Sequence, residues 1–202
     1  MSDVTYETEN RSNKYETYEW DNIWIEHANE IGRKRAAYIG DSISVGTRRI
    51  ATARTNEEIL FDGFGTSKAL DNPYFKDSIR LFLNQVPNID TVLFNNGLHG
   101  WHLDDETEYK VLYDEMIQFI LSEIKGARLY ILLITAVENN EDNKRVKIRN
   151  TAAREVAEKY SIPVIDLYDI TSANISEISP DGIHPTEPLY EKIADEIIRN
   201  IR

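Results

Sequence analysis

From Arg35 onward, short apolar runs alternate with longer stretches of helical spacing. The runs are "AAYIG", "EILFDG", "TVLFNNG", "LYILLIT" and "IPVIDL". Each has strand length and is bounded by turn residues. Between them lie "SVGTRRIATARTNEE", "YFKDSIRLFLNQV", "DETEYKVLYDEMIQFILSEIKG" and "NKRVKIRNTAAREVAEKYS", and "PLYEKIADEIIRNIR" closes the chain. Continuous apolar strands separated by helices predict a parallel sheet covered on both faces, a three-layer α/β/α sandwich of about five strands. In such sheets the active crevice lies outside the carboxyl ends of the strands. The residues that follow each run are therefore where chemistry is expected.

The 202 residues suffice for one domain with a sizeable core. We expect residues 1–34 to form a polar, aromatic arm packing on a domain of residues 35–202. Residues 1 to about 18 are polar and charged, and expected to be loosely ordered or draped on the surface. "YEWDNIWIEHANEIGRKR" is expected as a short helix or arm that packs Trp20 and Trp24 onto the body. The net charge of −12 argues against nucleic acid and anionic lipid surfaces as partners. The absence of cysteine removes disulfides, thiolate zinc sites and a cysteine nucleophile. With no apolar signal region and no run of about 18 apolar residues, a cytoplasmic protein is expected.

The ends of the runs carry a distinctive set of groups. Gly40-Asp41-Ser42 follows the first, where Asp41 or Ser42 could cap the next helix, or Ser42 could be a nucleophile. "DGFGTS", with Gly63 and Gly65, follows the second, and "NNGLHGWH", with Asn95, Asn96, Gly97 and His99, the third. Thr135, Glu138 and Asn139 follow the fourth, and "ISPDGIHPTEP" lies beyond the fifth. In that last segment Asp181 and His184 are three apart, with Gly182 between them and Pro185 behind. Such a loop can fix the two side chains against each other, the carboxylate accepting from Nδ1–H while Nε2 faces Ser42. A hydroxyl is a weak nucleophile until an oriented imidazole takes its proton. The glycines of the second block and an amide of the third are candidate donors to an oxyanion. His27 reads as structural or exposed and His102 as a rim residue. Trp101 reads either as a pocket cover or as packing.

"IGDSIS", a glycine block after the second run, a block of Gly-x-Asn type after the third, and "DGIHP" near the C-terminus resemble the SGNH (GDSL-type) hydrolases, in the same order. The resemblance spans about Arg35 to the C-terminus. It implies an ester hydrolase with a flavodoxin-like α/β/α fold and no cofactor. By the match Ser42 is the nucleophile and gives its N–H to the oxyanion hole, His184 is the base, and Asp181 orients it. The glycine of block two falls best on Gly65, with Gly63 the other candidate. Block three departs from the family's Gly-x-Asn-Asp, reading Gly97-Leu98-His99-Gly100. Either His99 donates in place of the asparagine, or Asn95 or Asn96 supplies the amide from a shifted position. "FNNGLH" and the "EWDNIWIEHAN" arm are similar to a bacterial SGNH subgroup associated with carbohydrate esters. The expected partner is thus a small-molecule or carbohydrate ester, with short acyl groups favoured, because no long apolar lid is evident. Oligomeric state is not readable.

Two rivals remain open at this level. One is a metal-dependent hydrolase built on His99, His102, Asp104 and Asp105, with Asp41, Asp181 and His184 adding ligands. It has no His-Glu-x-x-His signature and leaves the serine without a role. The other is a glycan-binding module with a degenerate site on the same fold. A nucleotide-binding fold is disfavoured by the lack of a phosphate loop. An α/β-hydrolase is disfavoured because Ser42 follows the first strand outside a Gly-x-Ser-x-Gly elbow.

Overall fold

The computed structural model describes residues 14–202. The expectation for the first residues of the chain therefore lies, for residues 1–13, outside the described residues. The strands are β1 (Asp21–Trp24), β2 (Lys34–Gly40), β3 (Ile59–Thr66), β4 (Thr91–Phe94), β5 (Arg128–Leu132) and β6 (Val164–Ile165). The helices are α1 (Ser42–Arg54), α2 (Phe75–Gln85), α3 (Glu106–Glu123), α4 (Asn140–Tyr160), α5 (Leu167–Ala173) and α6 (Glu187–Ile201). Among the described residues they form one six-stranded sheet in the order β1-β3-β2-β4-β5-β6. The five strands β2 to β6 are parallel, and β1 pairs antiparallel with β3 at one edge. The α/β/α sandwich is as expected, with the flavodoxin-like order for the five parallel strands. No helix of the described residues is long and apolar enough to cross a membrane.

The central strand shows why the apolar runs are continuous. Successive side chains of a strand point to opposite faces. Ala37 and Ile39 of β2 join Phe64, Phe94 and helices α2, α3 and most of α4 on one face. Ala36 and Tyr38 join Phe61, Leu93 and helices α1 and α6 on the other. Both faces are dry, so polar alternation has no place in β2. Register aligns Ile39 with both Phe64 and Phe94, bringing the carboxyl ends of three strands level.

Two local expectations give way. Of the helix or arm expected around Trp20 and Trp24, the arm form is found, with Asp21–Trp24 as a strand, but Trp24 lies exposed with the Arg49 guanidinium 5.2 Å from its ring centre. The edge of β3 offers unpaired backbone groups, and pairing them outweighs the weak helical pattern of this segment. Because β1 extends the ladder, β3 runs on to Thr66, and Gly63 and Gly65 lie inside the strand rather than after it. A Cβ on Gly63 would overlap the Arg48 side chain, and one on Gly65 the Val45 side chain. These glycines let α1 pack directly on the strand.

A buried ion pair ties the segment after β1 to the sheet. Arg35 and Asp62 are both fully buried and meet at 2.9 Å. Arg35 also donates to the carbonyls of Glu26, His27 and Glu30, each at 2.9 Å. Asp62 accepts the Glu26 N–H at 2.8 Å. Burial raises the Asp62 pKa despite the opposing pull of Arg35, as expected for a carboxylate with little water. Removing one partner strands a charge, so Arg35→Met is expected to lose about 3–5 kcal/mol in urea unfolding. Adding Asp62→Leu to it should recover part of that loss. A double variant no better than the single would show that the carbonyl contacts, not the ion pair, dominate.

Candidate active site

The turn from β2 into α1 satisfies both readings of Gly40-Asp41-Ser42. Asp41 is the N-cap, and its Oδ1 accepts the Ile43 N–H at 2.9 Å. Its carbonyl accepts the Ser44 hydroxyl at 2.6 Å. Ser42 is therefore the first helical residue, held at the end of the central strand. Its N–H is one of the helix-start donors with no partner inside the helix, at the positive end of the dipole.

The loop from Ser179 to Thr186 arrives opposite this serine. Ser179 N–H donates to the His184 carbonyl at 2.7 Å, and Ile178 pairs with Pro185 in an isolated bridge. Gly182 takes a positive φ of 78°, and its carbonyl accepts the Glu138 N–H at 2.9 Å. The loop so pinned places His184 Nε2 2.8 Å from Ser42 Oγ and His184 Nδ1 2.8 Å from Asp181 Oδ2. Asp181 Oδ1 accepts the Ile183 and His184 N–H groups at 2.8 and 2.9 Å. Burial alone would raise the Asp181 pKa. The N–H groups of His184 and Ile183, the His184 ring and the Ser179 hydroxyl outweigh it and hold the carboxyl well below its usual range. A carboxylate beside Nδ1 selects the Nδ1–H tautomer, which leaves the Nε2 lone pair for the serine proton.

The third block is a buried loop whose polar groups are largely committed. Asn95 donates its amide to the Leu132 carbonyl and Asn96 its own to the Lys68 carbonyl, both at 3.0 Å. Gly97 has φ of 150°, and a Cβ there would overlap Ile134. His99 is buried, with Nδ1 3.6 Å from Glu16 Oε1 and its ring edge-on to Trp20. The sequence offered no sign of the residue that holds this loop. Arg149, fully buried in α4, donates to the carbonyls of Gly97, His99, Gly100 and Leu103 at 2.9–3.2 Å. It stacks between Trp101 and Tyr109, with ring centres 5.0 and 4.5 Å away. Trp101 is accordingly a packing residue, only 3% exposed, whose edge lines a cleft of about 280 Å³ beside Asp181 and Gly182.

Other sequence candidates are placed elsewhere. With Ser67 N–H donating to the Trp20 carbonyl and Phe61 N–H to Thr52 Oγ1, ladder alternation turns the Gly65 N–H toward β1. Gly65, like Gly63, also allows close packing of α1 on the strand. Thr135 is buried, and Asn139 caps α4. His27 sits between Glu30 and Glu57. His102 pairs with Asp71 at 3.0 Å, Asp104 with Arg145 at 3.3 Å, and Asp105 caps α3. The cluster offered for a metal is thus dispersed, and among the described residues no three His, Asp or Glu are grouped to hold one.

No protein-family model matches the chain, and no curated protein matches it. Solved structures do. A lipase/acylhydrolase from Enterococcus faecalis matches with a TM-score of 0.65 and 18% identity, over 83% of this chain and 95% of that one. A member of the lipolytic G-D-S-L family from Veillonella parvula has a TM-score of 0.65 and 16% identity, over 83% and 98%. An acetylxylan esterase from Geobacillus stearothermophilus has a TM-score of 0.65 and 14% identity, over 85% and 95%. These likenesses establish the architecture: the chain has the fold of the GDSL-type lipases and esterases.

Proposed function

We propose that this chain is a serine esterase that removes short acyl groups, acetyl foremost, from carbohydrate esters. The observation that carries this is the continuous relay Ser42–His184–Asp181, with both links at 2.8 Å. Ser42 Oγ attacks the ester carbonyl carbon while His184 Nε2 takes the hydroxyl proton. The carbonyl π pair moves onto oxygen, where the Ser42 N–H at the helix start and a donor from the third block meet it. The tetrahedral species collapses, the bond to the alcohol breaks, and His184 returns the proton to that alcohol. Water, deprotonated by His184, then releases the acid and frees Ser42. The acetyl and carbohydrate preference is supported by the acetylxylan esterases among the proteins that share the fold.

The test is turnover of a short aryl acetate, followed by acetylated xylan. We expect hydrolysis that is indifferent to EDTA and that fails on acidification as His184 takes up its proton. Asp181 stays ionised through that range, since its pKa is depressed, so the acid limb belongs to the imidazole. A flat profile there would remove His184 as the base.

A further inference from the structure

The cleft of about 280 Å³ beside the relay is built from three segments that the fold locks together. Leu98 and Trp101 of the third block form one wall, and Val137, Asn139 and Asp142 after β5 a second. Asp181, Gly182 and Ile183 of the His184 loop form the third. The Glu138 N–H donates to the Gly182 carbonyl at 2.9 Å and joins the second wall to the third. Arg145 of α4 donates to the Trp101 carbonyl at 3.0 Å and joins the second to the first. A cleft whose walls are fixed to one another in this way keeps the ordering cost of binding low. Its volume is close to the lower end of the range of small-molecule sites, about 300–1,000 Å³, and suits one ring rather than a chain of rings.

The lining is of two kinds. Leu98 and Val137, 8% and 4% exposed, give an apolar floor. Asn139 caps α4 through Oδ1, which accepts the Glu141 and Asp142 N–H groups at 2.9 and 3.1 Å. Among the described residues nothing accepts from its Nδ2, so the cap fixes the side chain and leaves that donor to a ligand. We infer that this cleft holds the leaving alcohol as a single uncharged sugar ring, with Asn139 Nδ2 donating to one of its hydroxyls. The inference rests on the esterase reading above and names the part of the substrate that the site selects. The alcohol oxygen must reach His184, which returns its proton. Asp181 and Ile183 flank His184 in the chain, and the Asp181 carboxylate is one imidazole away from Ser42 Oγ. A sugar ring meets both parts of the lining, C–H groups on the apolar floor and hydroxyls on the amide and the carboxylates. An alkyl acyl chain would cover those polar groups without pairing them. Charge narrows the class further. Among the described residues, Asp142 and Asp181 line the cleft and no Lys or Arg does. The Glu138 carboxylate stands at its Gly182 edge. Arg145 and Arg149, each 5.0 Å from the Trp101 ring centre, both pair with Glu106, at 2.7 and 3.2 Å. A uronate would bring a like charge into this field.

Three acetates test this: a methyl glucoside monoacetate, the glucuronoside acetylated at the same hydroxyl, and methyl acetate, which lacks a sugar. At low salt kcat/KM for the glucoside ester should exceed that for the glucuronoside ester by at least about 10-fold. The gap should narrow as salt screens the carboxylates. Asn139→Ser keeps a cap acceptor and removes the Nδ2 donor. It should cut the preference for the glucoside ester over methyl acetate about 5-fold, mostly through KM. Val137→Phe fills the cleft and should cut the same preference by about 10-fold or more. Equal turnover of the two sugar esters at low salt overturns the inference, and so does a preference that neither variant changes. It is overturned too if Val137→Phe instead penalises methyl butyrate against methyl acetate, for the cleft would then hold the acyl chain. If the wild type hydrolyses none of these esters, the esterase reading fails. The methyl resonances of Leu98, Val137 and Ile183 then decide the cleft by themselves. Shifts on adding methyl glucoside and none on adding methyl glucuronoside support the inference; shifts with both, or with neither, overturn it.

Discussion

Ser42→Ala is expected to lower turnover of an aryl acetate on the order of 10⁶-fold, the loss seen when the nucleophile is taken from a serine relay. The protein should fold as before. Ser42 Oγ is bonded to His184 Nε2 across the site, and the helix start is capped by Asp41, not by Ser42. Unchanged thermal unfolding alongside lost turnover therefore assigns the effect to chemistry. Asp181→Asn should cost less, near 10⁴-fold, because it disturbs the tautomer of the base and leaves the nucleophile in place. It also removes the acceptor charge that faces the N–H groups of Ile183 and His184, so some loss of loop order is expected with it. Equal losses in the two variants would mean that Asp181 does more than orient the imidazole. Turnover that survives Ser42→Ala but vanishes in EDTA would give the site to a metal.

What the sequence could show of this site divides by distance along the chain. Gly40-Asp41-Ser42 and Asp181-Gly182-Ile183-His184 are contiguous, and each imposes its own geometry through a cap or a tight loop. Both were readable, as were the five parallel strands, because strands covered on both faces must be apolar throughout. β1 was not, since four residues at a sheet edge, exposed throughout, carry no burial pattern. Helix α5 is seven residues long and too short to show a period. Gly63 and Gly65 read as following the strand rather than lying in it, because the partner that extends their strand lies some 40 residues earlier in the chain. The metal cluster dissolved in part for the same reason: His102 and Asp104 pair with Asp71 and Arg145, distant in the chain, while Asp105 caps its own helix. Glu16 and Arg149 had no local signal at all. An arginine in a charged helix ordinarily faces water, and only the tertiary fold buries this one.

Arg149 is where that hidden contact matters most for stability. Its guanidinium donates to four backbone carbonyls of one loop and pairs with Glu106. Without it the Gly97 and His99 carbonyls lose their donor, while the Leu103 carbonyl keeps the Arg145 guanidinium and the Gly100 carbonyl the Leu103 N–H; each orphaned buried acceptor costs about 1–3 kcal/mol. Glu106 does not become isolated, because Arg145 also bonds it at 2.7 Å. The loop can relax toward solvent, so the sum is not reached; Arg149→Met is expected to lose about 3–5 kcal/mol in urea unfolding. That is a large share of the 5–15 kcal/mol by which domains are stable. Arg149→Lys should fall in between, since an ammonium carries charge but lacks the planar fork that spans Gly97 and Leu103. Turnover should fall further than the unfolded fraction explains, because Gly97 and His99 are the backbone of the proposed donor block. A Met variant within about 1 kcal/mol of the wild type would mean that the loop is held by the Asn96 and Tyr109 contacts and by Arg145 on the Trp101 carbonyl instead, and that the guanidinium merely fills the space between them.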